Sequence, residues 1–207
     1  MIDFYTWKTT NGHKVAIMLE ETGLSYQTHL VDITKEEQFK PEFLQINPNN
    51  KIPVIIDHDG LQHHKINLSE SGAILIYLAE KTGRFLPTDS RYRMEAMQWL
   101  MFQMSSVGPT CGQLHHFLHM AAEKVPYAIQ RFTDETKRLY NVMNHHLQHK
   151  PYFAEEYSIA DMAFFPWIHV HERHQINLND YPFIKRWYQQ LAERPAVKKA
   201  LQLTEKA

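Results

Sequence analysis

Three short stretches near the start of the chain hold side chains whose types and spacing could do chemistry. Thr9-Thr10-Asn11-Gly12 sets two hydroxyls and an amide where an extended run hands over to a helical pattern. The first amides of a helix lack partners within it and carry partial positive charge, a setting that favours an anion such as a thiolate. The same residues also suit a plain cap, with Thr10 or Asn11 as the capping side chain. At Lys51-Ile52-Pro53-Val54 a proline precedes an apolar run. A buried strand accepts proline only at its first residue or at an edge. Were the Ile52–Pro53 bond cis, the Ile52 backbone would turn outward and could pair with a peptide-like ligand. At Ser69-Glu70-Ser71-Gly72 a carboxylate and a hydroxyl lie on the first turn of another helix. There the helix amides and Ser71 can receive a carboxylate and Glu70 an ammonium; alternatively Glu70 only complements the helix dipole. Three such junctions, in a compatible order, point to a site for a small zwitterionic peptide.

The elements that must position these junctions follow from periodicity. Ile2–Trp7 and Tyr26–Asp32 read as strands, with a helix between them carrying Val15, Met18, Leu19 and Thr22 and stopped by Gly23. Thr34-Lys35-Glu36-Glu37 reads as a capping box, Thr34 to Glu37, opening a short helix with Phe39, Phe43 and Leu44. Val54–Asp57 and Ile66–Leu68 read as strands turned at Asp59-Gly60, and Glu70–Lys81 as a helix. The order β-α-β-α-β-β-α predicts helices packed on one mixed sheet. Gly83 and Pro87 then punctuate a linker, and beyond Ser90 the pattern is helical. A kink or break is expected at Gly108-Pro109, a long helix over Pro126–His149, and a capping box at Ser158-Ile159-Ala160-Asp161 with Tyr157 and Met162 as its hydrophobic staple. Two helices close the pattern, near Tyr181–Glu193 and Ala196–Lys206. The expected organisation is an α/β domain over 1–81, a linker over 82–88 and an all-α domain over 89–207.

Composition removes several classes. The 207 residues carry 22 Lys+Arg against 23 Asp+Glu, a formal charge of −1, which argues against nucleic acid or an anionic membrane as partner. The single cysteine, Cys111, excludes an internal disulfide, a Cys-x-x-Cys motif and a multi-thiolate zinc site, and reads as a small buried hydrophobe. The apolar run Ala73–Ala79 is short of the roughly 20 residues a membrane helix needs. No basic n-region precedes an apolar stretch, so a signal peptide is not expected and the location reads as cytoplasmic. Among the 14 histidines, His115 with His119 and His145 with His149 have i, i+4 spacing. That spacing can bind zinc, but no His-Glu-x-x-His motif completes it, and no metal is expected. His115, His116 and Phe117 are expected to line the cleft between the domains; Trp99, Phe102, Phe132, Phe164, Phe165 and Trp167 are expected in the core.

The quoted stretches resemble glutathione transferases almost from end to end. The likeness is carried by Phe4-Tyr5-Thr6 with Thr9-Thr10-Asn11-Gly12-His13-Lys14, by Asn47-Pro48-Asn49-Asn50-Lys51-Ile52-Pro53, by Glu70 through Leu78, and by the Ser158–Asp161 box. The Asn-Pro-Asn-Asn-Lys-Ile-Pro wording, His115-His116-Phe117 and Val125 through Arg131 resemble the nu-class-like bacterial disulfide-bond reductases, with yeast nitrogen-regulator-like proteins similar too. The resemblance implies a thioredoxin-like first domain, a cis Pro53, an all-helical second domain and a homodimer. It implies glutathione as bound co-substrate: Ile52 and Pro53 at its cysteinyl unit, Glu70 and Ser71 at its γ-glutamyl end, with Asn11, Gln38, Lys51 and Arg131 as further contacts. Arg131 would take the glycyl carboxylate, or else pair with Asp134 or Glu135 on its own helix. Many members activate the thiol with a Tyr, Ser or Cys near the end of the first strand. Here that neighbourhood offers Thr9 and Thr10, and Tyr5 reads as a strand residue. The helix terminus, with Thr9 and Asn11 as donors, would therefore hold the thiolate. That balance favours thiol–disulfide exchange on a small disulfide over conjugation to an electrophile; a conjugating transferase and a non-catalytic glutathione-binding or regulatory module are the alternatives.

Overall fold

The structure, a computed structural model, describes residues 1–203. It divides into two compact units, one comprising Met1–Leu86 with the segment from Glu193, the other Pro87–Ala192.

The first unit is built on four strands, β1 (Ile2–Thr6), β2 (Tyr26–Leu30), β3 (Val54–Asp57) and β4 (Ile66–Ser69), in the order β2-β1-β3-β4. β2 runs parallel to β1, and β3 antiparallel to both β1 and β4. Alternation decides which side of β1 faces the helices: Ile2, Phe4 and Thr6 are buried, while Tyr5 points the other way and stacks on His29 at 4.7 Å. Tyr5 is thus a strand residue, as its spacing predicts. Helices α1 (Thr10–Thr22) and α3 (Ser71–Thr82) pack together, and both stop at a glycine in the left-handed region, Gly23 (φ 71°) and Gly83 (φ 65°). Gly12 lets α1 come close to β1: a Cβ there would stand 2.3 Å from Thr6 Oγ1. Helix α9 (Pro195–Gln202) belongs to this unit as well, packing along α1 with Arg194 paired to Glu21 at 2.6 Å and Lys199 to Glu20 at 2.7 Å. The predicted extension of this helix over 204–206 lies outside the described residues.

One local expectation is corrected. The segment after β2 is capped by Asp32, not Thr34: its carboxylate accepts from the Thr34 amide at 2.9 Å, and Glu37 reaches back to the Asp32 amide at 2.9 Å. The reciprocal logic holds but starts two residues earlier. Glu36, at φ 58°, breaks the segment into two 3-10 turns, and the α-helix begins only at Pro41, as α2 (Pro41–Ile46).

The second unit is helical: α4 (Ser90–Phe102), α5 (Gly108–His115), α6 (Pro126–Leu147), α7 (Ile159–His169) and α8 (Pro182–Ala192). The expected interruption at Gly108-Pro109 takes the form of a π-turn over Gln103–Val107, where Gly108 N–H donates to Gln103 O five residues back. Proline has no amide to donate, and the wider turn carries the helix past it. The Ser158 capping box forms as read, and Asp161 does more than cap. It is fully buried and accepts from Ser158 N (3.0 Å), Phe153 N (3.1 Å) and Trp187 Nε1 (2.8 Å), joining three segments. Phe153, Phe164 and Phe165 are buried around it, with Phe153 and Phe164 stacked at 3.8 Å. Cys111 is buried, and burial pushes its thiol up to about 12, so it is not a reactive thiol.

Candidate functional site

Strand register brings the three junctions together. Tyr5 lies opposite Val54 and Val54 opposite Ser69. The chain therefore leaves β1 toward Thr9, enters β3 through Ile52-Pro53 and leaves β4 into Glu70-Ser71 at one end of the sheet. β2 ends there too, Thr6 lying opposite Leu30, and sends the chain on toward Gln38. From β1 to β4 is two strand spacings, about 10 Å. An extended tripeptide spans about the same distance.

Thr9 sits in extended backbone (φ −131°, ψ 151°) as the N-cap of α1, its hydroxyl oxygen accepting from the Gly12 amide at 3.1 Å. The cap is thus Thr9 and not Thr10 or Asn11, which are the first helical residues. Accepting with oxygen leaves the hydroxyl hydrogen able to donate, so capping and donation to a thiolate are compatible in one group. Asn11 is half-buried in the first turn.

The Ile52–Pro53 bond is cis, and Pro53 is buried directly ahead of β3. Among the described residues the Ile52 main-chain N–H and C=O have no hydrogen-bond partner. The loop before them is held by Asn47, a buried side chain that donates to Lys51 O at 2.7 Å and accepts from Asn49 N at 3.1 Å. Asn47 is a positioning residue that its residue type alone does not single out within Asn47–Pro53. Lys51 itself is exposed.

Glu70 is the N-cap of α3, yet its side chain makes no capping hydrogen bond. Its backbone is left-handed (φ 67°, ψ 108°), a costly conformation for a residue with a Cβ. The carboxylate is exposed, and Ser71 beside it is buried. Gln38 is half-buried, and its Oε1 is sealed from solvent with no partner among the described residues. A buried amide oxygen of this kind fits a ligand N–H.

Lys14 is the residue of this region whose place the sequence did not reveal. It is 1% exposed, and burial pulls its ammonium down to about 7 while the Glu70 carboxylate opposes that shift. Its spacing was the available signal, since Ile17 and Met18, three and four residues on, are both fully buried.

Arg131 lies in the second unit, on α6, and borders a cavity of about 710 Å³ with Tyr127, Gln130 and Arg138. The two acids that could have paired with it are engaged elsewhere: Asp134 accepts from Gln130 at 2.8 Å and Glu135 from Arg138 at 2.7 Å. Its guanidinium is exposed and has no ion pair among the described residues. His115 and His119 have ring centroids 4.9 Å apart, and His119 Nε2 meets Arg173 O at 2.8 Å. Among the described residues no group of three or more His, Cys, Asp or Glu side chains could hold a metal ion, and no helix is long and apolar enough to cross a membrane.

A thioredoxin-like sheet with its junctions gathered at one end, followed by a helical unit, defines a class. The glutathione S-transferase N-terminal domain model matches residues 2–80 and the C-terminal domain model residues 109–195; the chain belongs to the glutathione S-transferase family. Within it, the chain is 49% identical to the disulfide-bond oxidoreductase YfcG of Escherichia coli, over 97% of this chain and 94% of that protein. A glutathione transferase from Pseudomonas putida, solved with one glutathione disulfide per subunit, superposes with a TM-score of 0.93 at 41% identity, covering 98% of this chain and 91% of that one. One from Burkholderia graminis, solved with two glutathione molecules per subunit, gives 0.93 at 42% identity, covering 100% and 89%.

Proposed function

We propose that the protein is a glutathione-dependent thiol–disulfide oxidoreductase. The observation that carries this reading is the register Tyr5–Val54–Ser69, which gathers a hydroxyl donor, an unpaired main-chain edge and an uncapped carboxylate at one end of the sheet. Each matches one part of glutathione. Glu70 and Ser71 take the γ-glutamyl ammonium and carboxylate, the Ile52 main chain beside Pro53 pairs with the cysteinyl unit, and the Gln38 oxygen accepts a ligand N–H. Lys51, Asn11 and the free guanidinium of Arg131 complete the contacts, Arg131 toward the glycyl carboxylate. The sulfur lies by Thr9 and the α1 amides, which stabilise its thiolate.

In the reaction, that thiolate attacks one sulfur of a small disulfide. A glutathione–substrate disulfide forms as the other substrate thiolate leaves and takes a proton. A second glutathione thiolate attacks the glutathione sulfur of the mixed disulfide, giving glutathione disulfide and the second substrate thiol. The substrate is reduced by two electrons, supplied by two glutathiones. Cys111, buried and with a raised pKa, supplies no thiol.

Residues 1–81 are assigned as the glutathione-binding domain, 82–88 as the linker and 89–207 as the helical region, of which α9 packs with the first domain. A homodimer is proposed as well: α4 exposes Tyr92, Met94 (65%) and Met101 (46%) around a cavity of about 730 Å³, apolar surface suited to burial against a second copy. A cytoplasmic location is consistent with the lone buried cysteine.

The test is glutathione-dependent reduction of hydroxyethyl disulfide by purified protein. Turnover that is lost in Thr9→Ala supports the reading. Electrophile conjugation faster than disulfide reduction reassigns the protein as a conjugating transferase, and glutathione binding without turnover makes it a binding module.

A further inference from the structure

We propose that the buried Asn47 side-chain amide aims the Ile52 main-chain N–H at the ligand, acting through the Lys51 carbonyl. The proposal deepens the glutathione reading and rests on it. Asn47 is 4% exposed, and its polar atoms divide between two tasks. Its oxygens close the turn: the main-chain O accepts from Asn50 N at 3.0 Å and Oδ1 from Asn49 N at 3.1 Å. Its side-chain nitrogen reaches past the turn, donating to Lys51 O at 2.7 Å. Asn47 is itself held from behind. Its amide donates to Phe43 O at 2.8 Å at the end of α2, and the neighbouring Ile46 O accepts from Asn67 Nδ2 at 2.8 Å, which ties that end to β4.

Lys51 O and Ile52 N–H belong to one planar peptide unit. That unit is trans, so the two groups point in opposite directions, and holding the oxygen holds the N–H. The Ile52 N–H has no partner among the described residues, so what Asn47 fixes is an open donor. A carbonyl that accepts a hydrogen bond also polarises its own peptide, which strengthens the N–H as a donor. The Ile52 side chain packs with Tyr5 and Ile46 against Val31, Phe43 and Val54, so the residue is anchored on its apolar side as well. Fixing the donor beforehand lowers the ordering cost of binding. Asn47 does not touch the ligand in this scheme. Its effect therefore falls on ligand capture more than on the chemical step at the sulfur.

The test compares Asn47→Asp and Asn47→Ala with wild type in the full chain. It reads glutathione KM and kcat in disulfide reduction and calorimetric binding of S-methylglutathione, whose blocked sulfur takes the thiolate out of the comparison. Asn47→Asp keeps an acceptor for Asn49 N–H but, ionised, has no hydrogen to give Lys51 O. It is expected to raise KM and weaken S-methylglutathione binding by roughly ten-fold each, the size of one lost hydrogen bond, with kcat within about three-fold of wild type. Lowering the pH from about 8 to about 6 protonates a buried carboxyl and restores a donor, so Asn47→Asp should recover toward wild type. Asn47→Ala should not recover, a difference that a merely structural turn residue would not produce. If Asn47→Asp does not fold, Asn47→Ala takes its place, and a raised KM beside a near-normal kcat supports the assignment. Affinity unchanged in the variants, a loss confined to kcat, or no acid recovery in a folded Asn47→Asp overturns the role of Asn47 alone. A wild-type protein that binds neither glutathione nor its S-methyl form overturns the site and Asn47 with it.

Discussion

At one end of the four-stranded sheet Ile2, Asp57 and Ile66 lie abreast; at the other lie Tyr5, Val54 and Ser69. The first end is settled. Asp57 is buried and accepts from Tyr77 at 2.7 Å, Lys81 at 2.6 Å and the Asp59 amide at 3.0 Å. Burial alone would raise its pKa, but these partners outweigh burial and hold it below the usual carboxylate range. Asp3 is likewise clamped between His58 at 2.7 Å and His29 at 3.0 Å. The second end leaves groups open: the Ile52 main chain, the Gln38 oxygen, and a glutamate in left-handed backbone. Both ends belong to the same strands and share their core. The difference teaches that polar capacity at the first end is spent on folding, whereas at the second it is left open, as the proposed glutathione site requires.

Breaking the settled end should cost the most stability. Asp57→Ala leaves Lys81 without its buried partner and is expected to lower the unfolding free energy by about 3 kcal/mol in urea, with KM for glutathione little changed in the folded protein. A large rise in KM at low denaturant would erase the contrast between the ends. Glu70→Gly tests the opposite end. Relief of the left-handed backbone should stabilise the fold by up to about 1 kcal/mol, while loss of a charged hydrogen bond to the ligand lowers kcat/KM about 100-fold. Loss of stability and activity together would place Glu70 among the structural residues.

The same contrast extends to the second unit, where Asp161 is fully served by donors but the buried His174 Nδ1 has no partner among the described residues. Burial first, then the charges of His115, His119, Arg173 and His171, pull His174 down to about 4. Because the folded value lies below the unfolded one, about 6.5, the unfolded chain binds more protons between them. The stability is complete above pH 6.5 and is lost as the pH falls toward 4, with roughly 2 kcal/mol gone by pH 5. His174→Phe, which keeps a ring beside Trp167, should flatten that acid slope in pH-dependent denaturation. An unchanged slope assigns the acid sensitivity elsewhere.

The smallest expected effect separates the two duties of Thr9. Thr9→Asp can still accept from the Gly12 amide but, ionised, has no hydrogen to donate and sets a negative charge beside the thiolate. Activity should fall at least about ten-fold with the thermal midpoint nearly unchanged. Thr9→Ser should preserve both.

What the sequence made legible was local and periodic. Gly23, Gly83 and the Ser158–Asp161 box mark element ends through backbone chemistry that acts over a few residues, and all three read correctly. The Asp32–Glu37 cap was displaced by two residues because Asp32 and Thr34 offer the same kind of acceptor, and the observed fold uses the first. The form of the interruption before Pro109 was hidden because proline signals a kink or break but not its hydrogen-bond pattern, and the bond that makes the π-turn runs from Gly108 to Gln103. At the site, the three junctions were visible as residue types, but their convergence depends on register, a long-range property. Lys14 was hidden for a related reason: a lysine beside His13 reads as a polar face until α3 is packed against α1.

Helix α9 carries one last consequence. Arg194 meets Glu21 across 173 residues of chain, and the whole helical unit lies inside that span. The first unit is thus discontinuous in sequence, and the helical unit is topologically an insert within it. Closing such a span costs about 4–5 kcal/mol of chain entropy, against contacts in β1–β2 that close within some two dozen residues. The helix that opens the site therefore receives its outer cover through the most distant pairing in the unit. A single cut inside the insert would leave the severed pieces still joined through α1 and α9.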